Sequence, residues 1–158
     1  EALKKSNKSD KVKVINLRKS IFNFVEEKQN IQPYLIPIGE KAQAIVEQCD
    51  DKRITTLDAL SKLEDIIKEI NQAKKEQAER KFDANTFTIY WLIKKNGILK
   101  PDVLAEKING AFETYHNWKF NSVESRELTT QLYKILLKET DKEKAVELVD
   151  RILGLERR

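Results

Sequence analysis

Apolar residues return along this chain every three to four positions, the period of a helix rather than a strand. The pattern is longest over residues 55–81, where Leu57, Leu60, Leu63, Ile67 and Ile70, with Ile66 and Ala73 alongside, form one stripe. No Gly or Pro interrupts the run. Thr55 reads as an N-cap, and Asp58 stands where a capping box places its acid. Glu64 precedes Lys68 by four residues and Glu76 precedes Arg80 by four, the favourable order for ion pairs on a helix surface. From Gln72 to Lys81 large apolar residues stop. The first half of this helix is therefore expected to pack in a core. The second is expected to run out into solvent or toward a partner.

The same period predicts the neighbours. Val14, Leu17, Ile21, Phe24 and Val25 mark a helix over 11–29, widened by Val12, Ile15 and Phe22. Residues 30–39 hold Pro33, Pro37 and Gly39 and read as an extended connector, pinned to the core by Tyr34, Leu35, Ile36 and Ile38. A short helix is expected from 40 to about 48, with Ala42, Ile45 and Val46 inward and Cys49 closing it as a small buried residue. Asp50 to Ile54 is a turn. Phe87, Ile89, Tyr90, Trp91, Leu92 and Ile93 then make a nearly continuous apolar run that by propensity alone suits a buried strand. A capping Asn85, Lys94 and Lys95 in the last turn, and Asn96-Gly97 after them, favour a buried helix. Pro101 opens the next helix, with Leu104, Ile108, Ala111, Phe112 and Tyr115 on one face. Gly110 within it is either a weak point or a close helix contact. Asn117 to Ser122 is a connector. Leu128, Leu132, Ile135 and Leu136 mark a helix over 123–139. Asp141 caps a last one bearing Ala145, Leu148, Val149 and Ile152, closed by Gly154.

These elements predict an all-α fold, an irregular helical bundle of about six to seven helices built around the long helix 55–81. Along the chain, 1–10 reads as a flexible basic lead-in, 11–81 as an N-terminal helical part, and 82–158 as a C-terminal one continuous with it. Composition agrees: 4 Gly and 3 Pro are too few for a turn-rich β fold, and 40% apolar with 35% charged residues suits a heavily solvated helical protein. The formal charge of +4 permits an acidic partner without demanding nucleic acid. One cysteine precludes an intrachain disulfide. With neither a signal peptide nor an apolar run of membrane length, the expectation is a cytoplasmic protein with no membrane partner. Methionine is absent, so the chain is expected to be a fragment or trimmed.

Candidate chemistry is sparse. His116, the sole histidine, has only Cys49 to join it in a His/Cys metal set. The bland reading fits both: a surface or interface histidine and a small buried hydrophobe. The glycines at 39, 97, 110 and 154 are too scattered for a phosphate loop. No Asp/Glu-x-Lys follows Pro101-Asp102, so a nuclease pair of acids is discarded. No catalytic, cofactor-binding or metal-binding residue is therefore assigned. Basic clusters stand at Lys4, Lys5, Lys8, Lys11 and Lys13, at Arg18 and Lys19, at Lys74 and Lys75, at Arg80 and Lys81, and at Lys94, Lys95 and Lys100. Interleaved acids make solvated faces of most. The candidates for partner binding are Lys74, Lys75, Arg80 and Lys81 on the extension, and Tyr115, Trp118 and Phe120 beside a connector, where aromatic residues anchor partners.

The strings NLRKSIFNFVEE (16–27), ITTLDALSKLEDIIKEIN (54–71) and NTFTIYWLIKKNG (85–97) resemble the C-terminal helical region of the R subunit of type I restriction endonucleases. Trp118, the Ser-x-x-x-Arg-Glu-Leu pattern at 122–128 and DKEKAVELVDRIL (141–153) are similar to that subunit's closing segment. The ending LGLERR departs from the family's longer tails. The resemblance implies a docking region that joins an ATP-driven, DNA-translocating and DNA-cleaving subunit to the methyltransferase and specificity subunits. ATP and magnesium would belong to the full-length parent only, and no catalytic residue carries over. The alternative is a helical DNA-binding module that guides duplex by its basic faces.

Overall fold

The computed structural model describes residues 9–155. The expected lead-in over 1–10, with Lys4, Lys5 and Lys8, and the last residues of LGLERR fall largely outside that range. Seven α-helices and no strand occur among the described residues: α1 (Asp10–Lys28), α2 (Leu35–Asp50), α3 (Thr56–Glu79), α4 (Ala84–Lys95), α5 (Pro101–Thr114), α6 (Ser122–Leu136) and α7 (Lys142–Gly154). They form two compact units, the first ending at Lys81 and the second beginning at Phe82.

In the first unit α1, α2 and α3 pack pairwise on one another as a three-helix bundle. Val14, Leu17, Ile21 and Val25 supply the α1 side of its core. The start of α3 is secured as its sequence requires: the Thr55 hydroxyl accepts from the Asp58 N–H at 3.1 Å, and the Asp58 carboxylate accepts from the Thr55 N–H at 3.2 Å. The Thr55 hydroxyl also donates to that carboxylate, which holds the Asp58 carboxyl below its usual range. The buried stripe of α3 is Ala59, Leu63, Ile66, Ile70, Ala73 and Glu76. Of the expected stripe Leu63, Ile66, Ile70 and Ala73 are buried and Leu60 and Ile67 half-buried, and the correction falls on Leu57. Leu57 is 63% exposed, whereas Ala59, which the expected stripe leaves out, is fully buried. Small residues are the ones that let neighbouring helices come close, and they carry little weight in a reading by hydrophobicity. Lys68 donates to Asp65, three residues away, at 2.6 Å, with the Glu64 charge adding to the field around it.

The extended connector expected over 30–39 is a second correction. Turn bonds Ile31 N–H to Lys28 O, Gln32 N–H to Lys28 O and Leu35 N–H to Gln32 O carry the chain directly from α1 into α2. That helix starts at Leu35 and contains both Pro37 and Gly39. Pro37 is tolerated because it lies in the first turn, where the backbone N–H has no intrahelical acceptor to lose. Gly39 serves packing: a Cβ there would lie 2.9 Å from Val25 Cγ1. The same helix runs through Cys49 to Asp50, and Cys49 is half-buried rather than buried. Tyr34, fully buried at the start of α2, donates its hydroxyl to Gln32 Oε1 at 3.1 Å. Burial pushes its phenol up to about 12.

In the second unit, α5 packs on α4, α6 on α5, α7 on α6, and α7 returns to α4, closing a ring of four helices. The apolar run 87–93 is helical. Residues Thr86 through Ile93 are buried without a gap, so α4 is apolar all round, the signature of a fully enclosed helix. Its two buried threonines spend their hydroxyls locally: Thr86 donates to Asp83 Oδ2 at 2.9 Å and Thr88 to the Ala84 carbonyl at 2.7 Å. The N-cap is Asp83, which accepts from the Thr86 N–H, and not the expected Asn85. Pro101 at the start of α5 and Asp141 capping α7 stand as expected, and Ala145, Leu148, Val149 and Ile152 are the buried face of α7. The α6 helix ends at Leu136 and not at 139; Ile135 is half-buried.

Candidate interaction surface

On α3, the stretch expected to leave the core is held at two points. Ala73 is fully buried and Glu76 is 8% exposed, accepting from the Gln72 amide at 2.7 Å. The expectation of a free extension from Gln72 onward is thus corrected as far as Glu76. The apolar run ends there because alanine and a hydrogen-bonded glutamate suffice to cover the face. The two lysines diverge. Lys74 lies with its ammonium 4.1 Å from the centroid of the Phe24 ring on α1, a cation–π contact. Lys75 pairs with Glu79 at 3.9 Å. Arg80 is the C-cap, in extended backbone, its N–H donating to the Glu76 carbonyl. Lys81 is exposed.

The aromatic candidates lie between α5 and α6. Tyr115 is the C-cap of α5. The chain then folds through tight turns, with Trp118 N–H donating to the Tyr115 carbonyl at 3.1 Å and Phe120 N–H to the Asn117 carbonyl at 2.9 Å. Asn121 caps α6, accepting from the Val123 and Glu124 N–H groups. Glu124 in turn accepts from the Asn117 N–H at 2.9 Å. These bonds fix a short, rigid corner. Trp118 is half-buried and meets Phe112 edge-on, centroids 5.7 Å apart. Tyr115 is half-buried as well. Phe120 stands at the apex, 94% exposed, with Val123 57% exposed three residues on. Of the three aromatics, two are thus partly absorbed by the fold and one is presented outward.

His116 is exposed and lies 3.1 Å from the Asn117 amide. Among the described residues no group of three or more His, Cys, Asp or Glu side chains is placed to hold a metal. No described helix is long and apolar enough to cross a membrane.

Sequence reasoning missed one feature. A groove of about 380 Å³ runs between α5 and α6, lined by Lys107, Gly110, Ala111, Thr114 and Tyr115 from one helix and Gln131 and Ile135 from the other. Gly110 was its only signal, and the structure settles that glycine's role: nothing lies within 4 Å of where its Cβ would be. It makes no close helix contact and forms part of the open groove wall.

No protein family, curated protein or solved structure matches this chain. The likeness to the type I restriction endonuclease R subunit therefore rests on the sequence strings alone.

Proposed function

We propose that this chain is a non-catalytic docking region of a type I restriction endonuclease R subunit, seating the DNA-translocating and DNA-cleaving subunit on its methyltransferase and specificity subunits. The ordered strings that suggest the family fall on α1, α3, α4, α6 and α7. The observation that carries a docking role is the rigid corner between α5 and α6, which presents Phe120 almost wholly to solvent. A large exposed aromatic on a hydrogen-bonded corner loses little conformational freedom on burial, which is how interface anchors gain affinity. The ATP and magnesium of such an enzyme would act in other parts of a longer parent.

The test is capture of the chain by an immobilised methyltransferase–specificity core, with duplex DNA alone on a second surface. Binding to the core is expected, and Phe120→Ala should raise the dissociation rate without changing helicity. No capture by the core refutes the reading. Steeply salt-dependent binding to the duplex surface in its place would assign the basic faces to DNA instead.

A further inference from the structure

We propose that the outward side of α1 between Lys11 and Lys19, with the basic stretch that precedes it in sequence, is a contact surface for an anionic lipid bilayer. The inference does not rest on the family reading. Charge is spread unevenly along the chain. Residues 1–22 hold seven Lys or Arg, from Lys4 to Lys19, against Glu1 and Asp10, a surplus of +5. The whole chain carries +4, so everything beyond residue 22 is close to neutral. From Lys11 to Val25 α1 contains no acid. A cluster of about four to eight Lys or Arg on an amphipathic helix is the pattern that anionic headgroups attract.

The helix turns these residues away from the bundle. Val14, Leu17, Ile21 and Val25 are its buried side, where α2 and α3 pack. Lys11, Val12, Ile15, Arg18 and Lys19 are exposed, Ile15 at 55% and Val12 at 39%. Val12, Ile15 and Lys19 follow at steps of three and four, so they share one line along the helix. Lys11 and Lys19 make no hydrogen bond or ion pair among the described residues. Asp10 is taken by Lys13 at 3.1 Å, and Asp50 on α2 pairs with Arg18 at 3.8 Å. The mixture of groups selects a bilayer over a nucleic acid. A phosphate backbone rewards cations and gives Val12 and Ile15 no apolar place to go. The headgroup boundary takes cations and aliphatic side chains together. Two aliphatic side chains cannot hold the chain without the charges, so the contact needs anionic lipid and weakens in salt. Glu26 and Glu27, both exposed, end the face and keep the second half of α1 off the surface. Such a contact lies in the interface and needs no helix of spanning length. It stands apart from the expectation of no membrane partner, which followed from the lack of such a helix.

The test is co-flotation of the 158-residue chain with vesicles of phosphatidylcholine, alone or mixed with phosphatidylserine. Binding to a fluorescent DNA duplex is followed in parallel by anisotropy. The chain is expected to float with the phosphatidylserine vesicles only, and less at high salt. Lys11→Glu combined with Lys19→Glu should weaken that binding at least about tenfold. Val12→Ser combined with Ile15→Ser should weaken it severalfold and leave any duplex binding as it was. All four positions are exposed, and a retained circular dichroism spectrum shows that the fold is intact. No flotation with phosphatidylserine overturns the proposal, as does equal flotation with both kinds of vesicle. Flotation that either double variant leaves unchanged overturns it too. Duplex binding without flotation overturns it in favour of nucleic acid.

Discussion

Gly39 and Gly110 both sit in helix interiors, and replacing each with alanine should move stability in opposite directions. In a helix interior Ala is favoured over Gly by about 1 kcal/mol. At position 110 a Cβ meets nothing within 4 Å, so Gly110→Ala should keep that whole gain. At position 39 the new carbon would stand 2.9 Å from Val25 Cγ1, inside the roughly 3.5–4.0 Å at which carbon atoms rest. Val25 is β-branched and stiff at χ1, so its methyls cannot turn aside freely. Overpacking of this kind costs about 1–3 kcal/mol, and the net change for Gly39→Ala is a loss of up to about 2 kcal/mol. Urea denaturation followed by far-ultraviolet circular dichroism measures both, provided the slope is unchanged. The decisive measurement is a double-mutant cycle. With Val25→Ala the obstructing methyls are gone, and Gly39→Ala should become stabilising by about 1 kcal/mol. A Gly39→Ala protein as stable as Gly110→Ala would show that α1 and α2 are not in close contact here. A penalty that survives Val25→Ala would refute Val25 as its cause.

Leu63→Ala should cost about 2–5 kcal/mol and Leu57→Ala no more than about 0.5 kcal/mol, since one is fully buried and the other largely exposed; equal costs in denaturant would restore the stripe expected from sequence. Asp83→Ala should destabilise the second unit by about 1 kcal/mol through loss of the α4 cap, with Asn85→Ala close to neutral; thermal melts of the pair compare the two. The Tyr34 phenol is raised to about 12, so the folded state keeps its proton where the unfolded state, near the ordinary value of about 10, releases it. Its contribution is complete below about pH 10 and is lost as pH climbs toward 12, at up to about 1.4 kcal/mol per pH unit. Ultraviolet titration should show a late-ionising phenol that Tyr34→Phe removes; a titration whose late part is unchanged by Tyr34→Phe would contradict it.

The helices were legible because burial in this chain is written at a helical period, and because caps such as Thr55 and Asp141 are local chemistry. The misreadings share a cause, which is that local punctuation is conditional on position. Pro37 and Gly39 look like breakers, yet the first turn of α2 needs no N–H from Pro37, and Gly39 answers to Val25 across the bundle. Neither fact is local. Ala59 outranks Leu57 in burial because close approach, and not side-chain hydrophobicity, decides which line of α3 faces inward. At the surface the limit is sharper. Sequence named Tyr115, Trp118 and Phe120 together, but only tertiary contact with Phe112 distinguishes Trp118 from the outward Phe120. The groove beside them depends on which helix pairs lack a third neighbour, and no pattern within one helix encodes that.

Enclosure of α4 also makes it the part of this protein most dependent on the rest. Thr86 to Ile93 is eight residues long without charge, Gly or Pro and rich in β-branched and aromatic side chains, the composition of segments that stack into cross-β fibrils when exposed. Its helical state is imposed by neighbours, and one of them, α7, is synthesised last. Until α5 and α7 pack on it, the run is guarded by charges at its ends: Arg80, Lys81 and Asp83 before it, Lys94 and Lys95 after it. A chain cut before Lys142 would keep three of the four helices of this unit, α5 among them, and lose the part of the cover on α4 that α7 supplies. The helix α7, which lines no candidate site, in that sense completes an enclosure that α5 begins.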